Sequence, residues 1–320
     1  MKKIFFLLIL NFSVFQIFAQ SVPAPEENIP YLITFGPKAA TSWGDDDFSQ
    51  TFFFIIPKKF NKPIYIRVYD PDTGGSLDEL NGSFDTQMMY SVYGGRGCYT
   101  NKDAQGTEPR GNYKSGNLLA SKVFGANPQY DKKWYTFGPF NPTEGEYYEK
   151  YGGYIFKVIC DGLSGDDGNM YRYFLSTSPK ENKPVEGANA FSFEYTFRMW
   201  DDPKQVSHIY PYVDERAVTM EISNFDWDDD GYIRIVSVAR KGQMCHTSGQ
   251  DNWASTKIKV LAEEKNTSLD LQLIKRFNPV VKNNNVVVNI KNQFGEYMPF
   301  YVSPIGGIPK YRYNIRVRPK

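Results

Sequence analysis

Two histidines and three cysteines are all that 320 residues offer a soft or borderline metal. No cysteine pair has the short spacing of a zinc site, so zinc chemistry is not expected. Charge of one sign is lacking too: Lys plus Arg number 37 against 36 for Asp plus Glu. That balance leaves no long-range field to draw in nucleic acid, and no nucleic-acid partner is expected. Beyond the first residues no apolar run approaches the roughly 20 residues that span a bilayer, so no transmembrane segment is expected in the mature chain. Catalytic signatures are missing as well, with no G-x-S-x-G, H-E-x-x-H or phosphate-binding glycine loop. Cys245 and His246 are adjacent, but neighbours in a strand point to opposite faces and cannot pair. Nothing in the sequence places His208 beside Cys245. Acids are so abundant that no glycosidase-like couple stands out. The expectation is a protein that is not an enzyme.

What is present begins with a short apolar stretch. Met1-Lys2-Lys3 precedes the apolar Ile4–Leu10, which continues through Val14-Phe15 to Phe18-Ala19. Two lysines, a short apolar core and a small residue at its end form the pattern of a secretory signal peptide, residues 1–19. A membrane anchor is the other reading, but Asn11, Ser13 and Gln16 interrupt the stretch. No cysteine follows it, so a lipidated N-terminus is not indicated. The mature chain is expected to be exported: periplasmic, on the cell surface or extracellular. In that oxidising setting Cys98 and Cys160 are the pair to bridge within one domain, leaving Cys245 free. Three free thiols is the alternative of equal weight.

The chain then repeats an order of features. Ile64–Tyr69 alternates and runs into Asp70-Pro-Asp72-Thr-Gly74, and Met220–Phe225 runs into Asp226-Trp-Asp228-Asp-Asp230-Gly231. Ser91-Val92 answers Ser237-Val238, and Gly97-Cys98-Tyr99-Thr100 answers Gly242 to Thr247. Ser115-Gly116 with Ala120-Ser121-Lys122 answers Ser248-Gly249 with Ala254 to Lys257, and Tyr171–Pro179 answers Pro299–Pro304. Five matches in one order predict a tandem duplication, with a polar, proline-containing boundary at Thr177–Pro184. Ile64, Ile66 and Val68 alternate with Tyr65, Arg67 and Tyr69, and Tyr311, Tyr313, Ile315 and Val317 alternate with Arg312, Asn314, Arg316 and Arg318. Such period-2 patterns between Gly, Asn and Pro turns predict strands. Only Thr143–Tyr151 reads as a short helix. The fold class expected is all-β: two tandem antiparallel β-sandwich, jelly-roll-like domains, residues 28–178 and 187–320.

The acids supply the chemistry. Asp226, Asp228, Asp230 and Gly231 fit the first half of a D-x-D-x-D-G calcium loop. Alternating carboxylates on a tight loop can converge on one ion, with a backbone carbonyl from Tyr232 at position 7. The usual Glu at position 12 is replaced by Ser237, so a missing ligand must come from another loop. A solvated acidic turn is the competing reading. The first half carries a thinner version, Asp70 and Asp72 with Asp78 and Glu79 beyond. It also has Asp161, Asp166 and Asp167 between two strands, and Asp45-Asp46-Asp47. Calcium is the expected cofactor.

This pattern of exported tandem sandwiches with acid-rich strand ends resembles the pre-peptidase C-terminal type of accessory module in secreted bacterial proteins, over roughly residues 29–320. The resemblance implies an envelope or extracellular binding role, without the protease that such modules accompany. The leading expectation is a non-catalytic, calcium-binding binding or adhesion protein with a cell-surface polysaccharide or protein partner. Carbohydrate binding by exposed aromatics is the alternative. It requires Trp43, Trp134, Trp200, Trp227 and Trp253 to line an exposed face. A glycoside hydrolase or other hydrolase is the third.

Overall fold

The structure, a computed structural model, describes residues 20–106 and 113–313. The signal peptide expected at 1–19 lies outside these residues, as does most of the strand read at Tyr311–Arg318, whose described part (311–313) is not a strand. Among the described residues the only helices are three-residue 3-10 turns, and no helix is long and apolar enough to cross a membrane. The rest is antiparallel β-structure and turns.

Two units of one construction follow each other. In the first, eight strands run Leu32–Phe35, Ser49–Pro57, Ile64–Tyr69, Gln87–Gly94, Asn117–Phe124, Trp134–Phe140, Gly153–Ser164 and Gly168–Ser176. One sheet orders the first, eighth, third and sixth of these, and the facing sheet the second, seventh, fourth and fifth. That is the strand order of a jelly roll, which buries the inward residues of both sheets. In the second unit the strands are Glu194–Arg198, Val206–Ile209, Thr219–Phe225, Gly231–Val236, Lys241–Cys245, Trp253–Lys259, Asp270–Lys275 and Asn285–Asn292. They pair in the same two orders. The fold is therefore an all-β pair of jelly rolls.

Alternation explains which side chains make the core. Ile64, Ile66 and Val68 are fully buried, while Tyr65 and Tyr69 are half-buried. Arg67 departs from the pattern because Trp134 covers its guanidinium at 5.0 Å and Asn182 accepts from it. In Ser49–Pro57 both faces are apolar: Phe52, Phe54 and Ile56 enter the main core, and Phe53 and Ile55 enter a second cluster on the outer side.

The units join edge to edge. Phe197 in the second unit's first strand pairs with Leu32 in the first unit's first strand, so one sheet runs through both. Asn189–Ser192 adds to Ser49–Pro57, and Phe300–Tyr301 adds to Asn189–Ser192. The Gln50 amide spans the joint, donating to Thr196 O at 3.1 Å and accepting from Thr196 N at 3.1 Å. One apolar cluster runs through both units. The stretch expected as a linker is a bonded turn, with Thr177 N donating to Lys183 O at 2.8 Å. The boundary at 178–187 thus divides two strand orders but not the core.

Several local expectations differ from the structure. Thr143–Tyr151 is not a helix: Gly145 is extended, and Glu146–Tyr148 forms a strand against Gly153–Ser164 between two 3-10 turns. All three cysteines are free. Cys160 faces the main core and Cys98 the outer cluster, on opposite sides of one sheet. Of the five sequence matches, the first keeps equivalent strand positions; in the second, Ser91-Val92 lies inside the fourth strand whereas Ser237-Val238 follows the end of its counterpart. Ser115–Lys122 leads into and enters the fifth strand, whereas Ser248–Lys257 enters the sixth, because a Ser-Gly turn can precede any strand. The equivalence the fold supports is Trp134 with Trp253. Each opens the sixth strand and packs on the last residue of the third, Tyr69 at 5.3 Å or Phe225 at 5.5 Å.

Candidate cation-binding turns

The third strand of each unit is followed at once by an aspartate with a left-handed backbone, Asp70 (φ 56°) and Asp226 (φ 53°). Asp tolerates this conformation because its short side chain bonds locally. It does so here in the same way twice. Asp70 Oδ1 accepts from Lys132 N at 2.7 Å and Asp226 Oδ1 from Asp251 N at 2.6 Å, each two residues before the Trp of the sixth strand. An asparagine at the start of the eighth strand braces each turn. Asn169 donates to the carbonyls of Asp70 and Asp72, and Asn284 donates to the Asp226 carbonyl (3.5 Å) and to Asp228 Oδ2 (2.6 Å).

The two turns differ in what their carboxylates touch. In the second unit Asp230 turns away from Asp226 and Asp228. It takes Lys275 Nζ at 3.0 Å and the N–H groups of Val280 and Val281, and both members of the ion pair are buried. Burial pushes the Asp230 carboxyl up, but those N–H groups and Lys275 outweigh it and hold it below its ordinary value. Tyr232 lies in the next strand opposite Ile274, its ring exposed, and does not belong to the turn. The expected convergence of Asp226, Asp228, Asp230 and Tyr232 on one ion therefore does not form. Gly231 is required by crowding rather than by turning, since a Cβ there would meet Ile274 O at 2.3 Å.

In the first unit Asp70 and Asp72 are almost wholly buried. Asp70 Oδ2, Asp72 Oδ1, Thr73 Oγ1 and Asp131 Oδ1 are shut from solvent without a hydrogen-bond partner, whereas the corresponding atoms at the second turn are Asn284 Oδ1 and the Trp227 Nε1 donor, and no carboxylate oxygen. Burial pushes Asp70 up to about 7 and Asp72 to about 6, and Asp131 adds to both. Burial also takes Asp226 to about 7, with Asp228 as a further cause. Asp131 went unnoticed in the sequence; its one signal is its place three residues before Trp134.

Of Asp161, Asp166 and Asp167, the structure brings the last two together and leaves Asp161 apart from them. Asp161 accepts from Tyr113 Oη and pairs with Lys114, both at 2.9 Å. Asp167 accepts from the N–H groups of Asn81, Asp85 and Thr86 and so ties down a loop. Among the described residues two groups of three acids bring oxygens within 4.8 Å of one another: Asp85 with Asp166 and Asp167, and Asp46 with Asp47 and Glu194. Neither includes Asp70, Asp72 or the Asp226 turn.

No protein-family model matches the chain, and no curated protein matches it. Among solved structures it is similar to a Parabacteroides distasonis chain inferred to be secreted, at 9% identity over 89% of this chain and 92% of that one, with a TM-score of 0.20. That score is too low to carry fold or function across.

The tryptophans form no shared platform. Trp227 is buried in the core, Trp43 packs on Phe35, Trp200 donates to Asn28 O, and Trp253 alone is well exposed. This removes the sugar-binding reading in its tryptophan form. A cleft of about 780 Å³ between the units is lined instead by tyrosines, among them Tyr99, Tyr148, Tyr151 and Tyr212. His208 bonds Asp270 at 2.8 Å.

Proposed function

We propose that this chain is an exported, non-catalytic binding protein of the cell envelope or exterior, and that it holds calcium in the Asp70–Asp72 turn. The observation that carries the reading is the set of enclosed, unpartnered oxygens on Asp70, Asp72, Thr73 and Asp131. Buried carboxylates without partners are costly. Calcium takes six to eight oxygens at about 2.3–2.6 Å, so opposite ligands lie about 5 Å apart and need not form a tight triple. The tyrosine-lined cleft between the units is where a polysaccharide or protein partner would lie.

The test is thermal unfolding of the full chain with calcium and with EDTA. Calcium should raise Tm in wild type, with a Kd on the order of 10⁻⁴ to 10⁻³ M as in extracellular modules. Asp72→Asn should remove most of the rise, and Asp228→Asn should leave most of it. An unchanged wild-type Tm after chelation would end the calcium reading.

A further inference from the structure

We propose that the cleft between the two jelly rolls is a glycan site, and that the ligand it takes is a stretch of a neutral polysaccharide. This names the ligand class for the binding reading above and rests on it. One wall of the cleft belongs to the first unit. Buried Glu146 sets its shape by accepting from the N–H groups of Gly97, Tyr99 and Thr100 at 2.7–3.0 Å. Tyr148 and Tyr151 pack on Tyr99 at 5.1 and 5.7 Å, and Tyr99 and Tyr151 share a hydroxyl hydrogen bond of 2.9 Å. The facing wall belongs to the second unit. Its Arg216 Nη2 donates to Asp214 at 3.2 Å and to Glu296 at 2.9 Å, and the Asn292 amide donates to Glu296 at 2.9 Å. Both walls are ordered before a ligand arrives, which lowers the entropy cost of binding.

The chemistry of the lining selects the class. Tyr148, Tyr151 and Tyr212 are half-buried, each an apolar ring with a polar tip. A pyranose is amphipathic in the same sense, with a C–H face that stacks on a ring and a rim of hydroxyls. The Arg216 guanidinium and its two carboxylates set planar donors and acceptors beside those rings, suited to paired hydroxyls. Among the described residues the lining charges balance, with Lys102, Lys150 and Arg216 against Asp103, Asp214 and Glu296. Three against three leaves no net field to hold a polyanion or a polycation. A peptide added as an extra strand is disfavoured, because the edge bordering the cleft is taken: Tyr212 N donates to Pro299 O at 2.9 Å and Tyr301 N to Tyr210 O at 3.1 Å. The volume, about 780 Å³, suits a few sugar residues and falls within the range of about 300–1,000 Å³ common for ligand sites.

The test titrates the full chain calorimetrically, with calcium present, against a β-glucan, an α-glucan, a mannan and a xylan. Polygalacturonate serves as the charged glycan and a mixed peptide library as the protein-like probe. Tyr148→Ala and Tyr212→Ala remove one ring from each wall, and Trp253→Ala removes an exposed ring elsewhere. All three residues reach solvent, and circular dichroism melts check that each variant keeps the fold. Wild type should bind at least one neutral polysaccharide. Tyr148→Ala and Tyr212→Ala should each weaken that binding by about tenfold or more, as expected for losing one newly buried ring, and Trp253→Ala should leave it unchanged. Binding of polygalacturonate or peptides alone overturns the glycan inference and leaves the binding-protein reading standing, whereas no binding to any probe overturns both. Loss in Trp253→Ala with both tyrosine variants unaffected also overturns the cleft. New reducing ends released from a bound polysaccharide, and lost in the tyrosine variants, would support the glycan site and end the non-catalytic reading.

Discussion

The Asp70 turn and the Asp226 turn occupy the same place in two copies of one fold, share a left-handed aspartate and an asparagine brace, and end differently. The second has the fuller calcium pattern, yet Asp230 is joined to Lys275 and to backbone N–H groups. The first has the thinner pattern and keeps its unpartnered oxygens. A motif therefore reports how carboxylates are spaced, and the strands packed behind it decide whether they remain available to a ligand.

The sharpest way to break this comparison is to remove Lys275. Lys275→Met leaves the buried Asp230 with only its backbone N–H donors and the more distant Arg276 Nε at 3.7 Å, and should cost about 2–4 kcal/mol in urea unfolding. A loss under about 1 kcal/mol would mean that Asp230 is not held by the fold, and the two turns would be alike after all. The glycines sharpen it next. Gly231→Ala should cost about 1–3 kcal/mol because its Cβ meets Ile274 O. At Gly74 the nearest atom is 3.7 Å away, so Gly74→Ala should change stability by less than about 1 kcal/mol in the same assay.

The pH dependence bears on the acids of both turns. Asp70 and Asp226 are raised to about 7 and Asp72 to about 6 from an ordinary 3.8. Between these values the folded state binds more protons than the unfolded one, so stability falls as pH rises. Metal-free protein should gain at least about 1 kcal/mol on going from pH 8 to pH 5. Calcium should flatten the trend. A metal-free stability that rises with pH across this window would refute the burial of these acids.

The sequence made the fold class legible because alternation such as Ile64, Ile66 and Val68 is a local signal. It made the two Asp turns legible for the same reason. It did not show that Lys275, 45 residues beyond Asp230, would close on it, nor that Asp131 would face Asp70 and Asp72. Those meetings depend on which strands become neighbours. The joint was illegible too: Glu194 carries no motif, and its relation to Asp46 exists only because the first strands of the two units pair. The match of Ser115–Lys122 to Ser248–Lys257 misled because turn residues recur wherever a strand begins.

The edge position of Ser49–Pro57 has a consequence in time. A chain made from its N-terminus completes the first unit's eight strands once residue 176 has emerged, but this strand's free side must wait for Asn189–Ser192, whose own outer side waits for Phe300–Tyr301. Until then Phe53 and Ile55 lack part of their cover, beside a bare backbone edge that another chain could join. The last segment to arrive thus finishes the outer cover of the first unit, and a chain truncated before residue 300 would have a complete first strand order with an unfinished edge.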